Sequence, residues 1–138
     1  MPNQRDVECM SLALRLAKQG LYTTRPNPNV GCVITNKQGD IVGTGDHARA
    51  GEPHAEIHAL CEAGDQANAG TAYVTLEPCC HQGKTGPCTQ ALIDAKISKV
   101  VIAMQDPNPL VAGKGIKSLK EHGINVTGNL LNEQAKML

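Results

Sequence analysis

The chain has 138 residues, with thirteen Lys plus Arg against thirteen Asp plus Glu, so it carries no formal net charge and fits one compact domain. It lacks Phe and Trp and has only Tyr22 and Tyr73; with no basic excess, this argues against a nucleic-acid binder that stacks bases. No long apolar run offers a membrane span and no charged-then-apolar opening offers a secretory signal, so the expected setting is cytoplasmic.

The apolar fraction of 41%, supplied almost wholly by Ala, Val, Ile, Leu, Met and Cys, is enough for a core. Asp6 to Gln19 reads as a helix: Asp6 serves as N-cap, Met10, Ala13, Leu14 and Ala17 recur at helical spacing, and Gly20 sits where a C-cap belongs. Pro26 and Pro28 forbid helix in the next segment. Val30–Thr35 and Ile41–Gly45 are apolar runs joined by Asn36-Lys37-Gln38-Gly39-Asp40, which predicts a β-hairpin. A Gly/Pro loop ending at Pro53 leads into a helix over His54–Ala63. Thr71–Leu76 is a strand, followed by Glu77-Pro78-Cys79-Cys80-His81 and a loop closed by Gly86-Pro87. Then come a helix over Cys88–Ala95, an apolar strand over Lys99–Ala103 and a turn at Asp106-Pro107-Asn108-Pro109. A helix over Gly115–His122 stops at Gly123, a short strand covers Ile124–Thr127, and the tail Leu130–Leu138 is helical. From residue 54 onward strands and helices alternate, which implies parallel strands with helices on both faces, in a single α/β domain over 1–138.

Six cysteines stand at positions 9, 32, 61, 79, 80 and 88. Without a secretory signal they read as reduced thiols rather than a disulfide scaffold. Cys9, Cys32 and Cys61 fall within apolar patterns and read as buried packing; His122 reads as a structural helix-end residue. The chemistry lies in His54-Ala55-Glu56 followed by Pro78-Cys79 and Cys88. A catalytic zinc takes three protein ligands and keeps its fourth position for water. One imidazole and two thiolates match that count and cancel the charge of the ion. Water on zinc loses its proton near neutral pH, and Glu56, two residues past His54 on the same helical turn, is placed to carry protons. His54 and Cys88 both stand where a helix begins, and free N–H groups there stabilise anionic ligands. Cys80 is an alternative ligand to Cys79, although the position after Pro78 favours Cys79. A closed structural zinc site would recruit Cys80 or His81 as a fourth ligand, and would leave Glu56 without a role.

His-x-Glu followed by Pro-Cys is the zinc deaminase signature, here with eight residues between Cys79 and Cys88 in place of two. Five runs narrow it: Pro-Asn-Pro-Asn-Val-Gly (26–31), Gly-Glu-Pro-His-Ala-Glu (51–56), Tyr-Val-Thr-Leu-Glu-Pro-Cys (73–79), His-Gln-Gly-Lys-Thr-Gly-Pro-Cys (81–88) and Asp-Pro-Asn-Pro-Leu-Val-Ala-Gly-Lys-Gly (106–115). Together, over nearly the whole chain, they resemble the deaminase domain of the bacterial riboflavin-biosynthesis deaminase/reductase family. The resemblance implies a three-layer α/β/α cytidine deaminase-like sandwich around a five-stranded mixed sheet. It implies Zn2+ on His54, Cys79 and Cys88, with Glu56 as the catalytic proton carrier. The implied reaction is hydrolytic deamination of diaminohydroxyphosphoribosylaminopyrimidine, a phosphorylated small molecule, with release of ammonia and no role for nucleic acid or membrane.

Carried over residue by residue, Asn27, His47, Lys84, Asp106 and Asn108 are the implied substrate contacts. Asn27, Asp106 and Asn108 offer donors and acceptors to a polar base and ribose, and Lys84 offers a charge to a phosphate. Simpler roles exist for some: His47 as a hairpin-end residue bonding to backbone, Asp106 and Asn108 as turn formers, and Lys84 as a solvated lysine. Two departures from the family pattern are Gly86, where a second proline is usual, and Cys80, where serine is common. The family's reductase half has no counterpart in these residues, so reductase activity would come from another domain or protein. Relatives in this fold associate through their helices, which makes a homo-oligomer the expectation. The competing functions are deamination of another base (adenosine in transfer RNA, cytidine or guanine) and a zinc-stabilised binding module without catalysis.

Overall fold

The structure, a computed structural model, describes residues 4–19, 31–46, 55–76, 80–81, 84–85, 87–104 and 114–128. The proline segment 24–29, the Asp106–Pro109 turn and the tail helix expected over 130–138 lie outside the described residues. Four α-helices are described: α1 (Gln4–Gln19), α2 (Ala55–Ala63), α3 (Pro87–Asp94) and α4 (Lys114–Glu121). The strands are β1 (Gly31–Thr35), β2 (Ile41–Asp46), β3 (Thr71–Leu76), β4 (Cys80–His81), β5 (Lys84–Thr85), β6 (Lys99–Met104) and β7 (Asn125–Thr127).

Five strands form one mixed sheet in the order β2-β1-β3-β6-β7. β1 runs antiparallel to both β2 and β3, whereas β3, β6 and β7 are parallel. The predicted hairpin is present. Asn36 Oδ1 accepts from the N–H groups of Gln38 and Asp40, each at 3.0 Å. Gly39 takes φ +93°, which a side chain would resist. A register slip between Ile34 and Thr35 absorbs one residue of β2.

Side chains of the central strands alternate between two buried faces. Cys32, Ile34, Ala72, Val74, Val100 and Ile102 join Ala59 of α2, Leu92 of α3 and Leu119 of α4 in one cluster. Val33, Tyr73, Val101 and Ala103 face the other way, against Cys9, Met10, Ala13 and Leu14 of α1. Helices therefore cover both faces, as the alternation of elements predicts. Because every large apolar core residue but Tyr73 is aliphatic or thioether among the described residues, close backbone approach replaces aromatic bulk. At Gly43 of β2 an added Cβ would stand 2.2 Å from the Ala59 carbonyl oxygen, so glycine is what lets α2 lie flat on the sheet.

Asp6 is a correction. It does not cap α1, which begins two residues earlier at Gln4. Its buried carboxylate accepts a 2.6 Å hydrogen bond from Tyr73 Oη and lies 3.5 Å from Lys99 Nζ, pinning α1 to β3 and β6. A tertiary donor and cation hold a carboxylate that the local pattern assigned to the helix end. Cys61 is a second correction: Cys9 and Cys32 are buried, but Cys61 is exposed on α2. His122 is structural as expected, with Nδ1 at 2.8 Å from the Ser118 carbonyl.

The amino-terminal edge of the parallel strands is clamped. Ala69 and Lys96 both adopt positive φ, and Ala69 N–H donates to the Lys96 carbonyl at 2.9 Å. Ser98 Oγ then donates toward the carbonyls of Ala69 and Gly70, at 3.0 and 3.1 Å. No helix among the described residues is long and apolar enough to cross a membrane.

Candidate metal centre

At the opposite, carboxyl edge of the sheet the described segments that flank the expected site residues begin and end. β1 begins there opposite the end of β2, with Gly31 facing Asp46, and β3 ends level with β6, with Leu76 facing Met104. Two parallel strands joined through a helix require that helix to run back along the sheet, so α3, between β3 and β6, starts at this same edge. α2 starts there too: its first turn lies beside Cys32, and Ala59 and Ala63 then follow along Gly43. In open α/β sheets such an edge, beyond the carboxyl ends of parallel strands, is where ligands bind.

Of the expected site residues, Glu56 is fully described. It occupies the first turn of α2, is 3% exposed, and its Oε1 is closed off from solvent. Cys88 is the second residue of α3 and Lys84 opens β5, both described in backbone only. Asn27, His47, His54, Cys79, Asp106 and Asn108 lie outside the described residues. The described chain nevertheless starts or stops at this edge within four residues of each one. Accordingly, no group of three metal-ligating residues occurs among the described residues.

The segment after Cys79, expected to be loop, contains a short antiparallel pairing in which Cys80 faces Thr85 and His81 faces Lys84. Strands of two residues show no periodicity, so the pattern could not reveal them. Cys32, read from sequence as packing, has a further property. Burial raises its thiol well above the ordinary range, and the negative charge of Glu56 raises it further. A neutral thiol therefore underlies the carboxylate, and it adds no anion to the site.

These features fit a divalent cation. A carboxylate buried to this degree is costly unless donors or positive charge face it. The N-terminal turn of α2 supplies oriented N–H groups, and a zinc ion on neighbouring ligands would supply the charge. His54 directly precedes α2 and Cys88 lies in the first turn of α3, so two of the three expected ligands belong to helix starts at one edge.

Comparison with known proteins agrees. The family model described as the cytidine and deoxycytidylate deaminase zinc-binding region matches residues 3–104. The chain is 57% identical over 134 residues to the riboflavin biosynthesis protein RibD of Escherichia coli strain K12, covering 97% of this chain and 36% of that protein. It thus spans about a third of the length of that relative. It is 56% identical over 131 residues to a diaminohydroxyphosphoribosylamino-pyrimidine deaminase of Buchnera aphidicola subsp. Acyrthosiphon pisum, covering 95% of this chain and 88% of that one. Among solved structures, Acinetobacter baumannii RibD superposes with a TM-score of 0.92 at 54% identity, covering 98% of this chain and 38% of that chain. The dCMP deaminase of cyanophage S-TIM5 superposes with a TM-score of 0.62 at 18% identity, covering 88% and 97%, a likeness of fold alone. The mixed five-stranded sheet between helical layers is the cytidine deaminase-like sandwich, and the chain belongs to the cytidine and deoxycytidylate deaminase zinc-binding family.

Proposed function

We propose that the chain catalyses zinc-dependent hydrolytic deamination of diaminohydroxyphosphoribosylaminopyrimidine, a step of riboflavin biosynthesis, with release of ammonia. The observation that carries this reading is a buried Glu56 on the first turn of α2, at the edge where β3 and β6 end, in a chain so similar to a deaminase named for that substrate. His54, Cys79 and Cys88 would hold the zinc, which supplies a water acidified to near neutrality. Glu56 accepts a proton from the attacking water and passes it to a ring nitrogen; it then takes the second proton, from the hydroxyl added to the ring carbon, and delivers it to the departing amine as the carbon–nitrogen bond breaks and the carbonyl forms. Burial serves this task, because a carboxylate screened from bulk water keeps its proton on the reaction path. Lys84 meets the phosphate, and Asn27, His47, Asp106 and Asn108 bind the ring and ribose.

In this reading residues 1–138 form one deaminase unit acting in the cytoplasm on a small molecule. The RibD relatives extend far beyond the matched region, so reductase activity belongs to another domain or protein. Helix-mediated self-association is part of the same proposal. Glu56→Gln tests the whole. It keeps shape and hydrogen bonding but cannot carry the proton, so zinc content and thermal unfolding should stay at wild-type values while ammonia release falls by about 10²–10⁴-fold. Unchanged turnover would remove Glu56 from the chemistry. Faster turnover of cytidine, guanine or adenosine than of the phosphorylated pyrimidine would overturn the substrate assignment.

A further inference from the structure

The ladder between β1 and β3 pairs Thr35 with Thr71, Ile34 with Ala72, Val33 with Tyr73 and Cys32 with Val74, and there it ends. One step further, Gly31 N–H donates to the side-chain Oγ1 of Thr75, at 3.1 Å in a buried setting. Thr75 is 2% exposed. Burying a hydroxyl costs free energy unless it is bonded, and valine would fill the same volume without that cost. The hydroxyl therefore has a purpose that valine cannot serve. Its position suggests which. Thr75 stands two residues before Glu77 and four before Cys79, while Gly31 stands four after Asn27. One buried bond ties the strand leading to an expected metal ligand to the strand following an expected substrate contact, at the edge where both meet the site.

We infer that Thr75 is a positioning residue for substrate binding: its hydroxyl fixes the amide of Gly31 and thereby sets where the chain enters β1 beside the site. The inference rests on the substrate reading above for its kinetic consequence, but its structural half stands independently. Thr75→Val removes the acceptor at constant shape, and Thr75→Ser keeps it. With zinc-loaded full chain and the phosphorylated pyrimidine, Thr75→Val should raise KM by about tenfold, the worth of one hydrogen bond, with kcat within about twofold. Zinc should remain stoichiometric, and Thr75→Ser should restore KM to within about threefold of wild type.

Amide hydrogen exchange supplies the readout that needs no substrate. At Gly31 it should quicken by about tenfold in Thr75→Val and not in Thr75→Ser. If the valine variant does not fold, Thr75→Ala carries the same measurements. Wild-type KM and exchange in the valine variant would overturn the inference. So would a fall in kcat or zinc content at unchanged KM, or failure of serine to rescue. If the wild-type chain does not turn over the pyrimidine, the substrate reading fails, and exchange at Gly31 still decides whether Thr75 fixes that amide.

Discussion

A methyl group at position 43 should disable the site from a distance. Gly43 pairs with Ile34 in the sheet and underlies α2, whose first turn carries Glu56. The Cβ of Gly43→Ala would stand 2.2 Å from the Ala59 carbonyl oxygen and 3.0 Å from Ala63 Cβ, whereas ordinary contact begins at 3.4 Å. The obstructing atom is backbone, so it cannot rotate aside, and helix and strand must part by about 1.2 Å, the difference between those two distances. Overpacking of this kind costs about 1–3 kcal/mol, which lowers Tm by roughly 4–12 °C in a domain of this size. Ala59 lies one turn beyond Glu56, so the shift passes along α2 to the carboxylate. A displacement of about 1 Å at a catalytic group costs on the order of 10²-fold in rate. The assay pairs thermal unfolding with kcat measured well below Tm, at stoichiometric zinc. Gly70→Ala is the control: its Cβ would meet the Thr35 carbonyl oxygen at 1.9 Å, but at the far edge of the sheet. That variant should lose stability while its folded fraction keeps its kcat. Wild-type Tm and kcat in Gly43→Ala, or an equal loss of kcat in Gly70→Ala, would refute the reasoning.

Other outcomes follow from named contacts. Tyr73→Phe removes a buried bond to a charged acceptor and should cost about 1.5–3 kcal/mol in urea unfolding, with kcat unchanged because the bond lies on the α1 face. Peptide mapping after a brief pulse of a thiol reagent on native protein should find Cys61 modified and Cys9 and Cys32 protected, both reacting after denaturation. Cys32 also predicts a pH dependence. Its thiol is raised in the folded chain by burial, then by Glu56, so its contribution is fully present below the unfolded value near pH 8.5 and is lost as pH rises from there toward the raised folded value. Unfolding free energy should fall by about 1.4 kcal/mol per pH unit across that window, and Cys32→Ala should remove this component. Identical pH slopes in the two proteins would contradict it.

The layers of the fold were legible because the strands between the two helical faces are mostly apolar, with Val, Ile, Ala and Cys at successive positions, and the helices repeat at their own period. Val33 against Cys32 and Ile34, or Tyr73 against Ala72 and Val74, go to opposite faces simply because successive residues must. What escaped the pattern was contact between distant segments. Asp6 looks like a cap until Tyr73, sixty-seven residues away, supplies a better donor. Cys61 shares an apolar stretch with Ala59 and Leu60 yet lies on the outer side of α2. At the candidate site, Glu56, buried on the first turn of α2, was legible as a residue of interest from its spacing to His54. The roles of Cys32 and Thr75 were not, since a thiol among valines reads as filler and a threonine in a strand reads as β-propensity. A polar residue at an inward position of an apolar strand was the available signal, and Thr75 carries it.

The clamp at Ala69, Lys96 and Ser98 has a consequence for how such a molecule can change. Two residues there accept an unfavourable backbone geometry, and the bonds between their turns hold both crossovers at the end remote from Glu56. The clamp and Glu56 thereby lie at opposite ends of the same strands. Asp46, Leu76 and Met104, where the described strands stop, all stand at the end away from the clamp. The sheet is thus a chassis whose carboxyl-edge segments can change one at a time without a new way of folding.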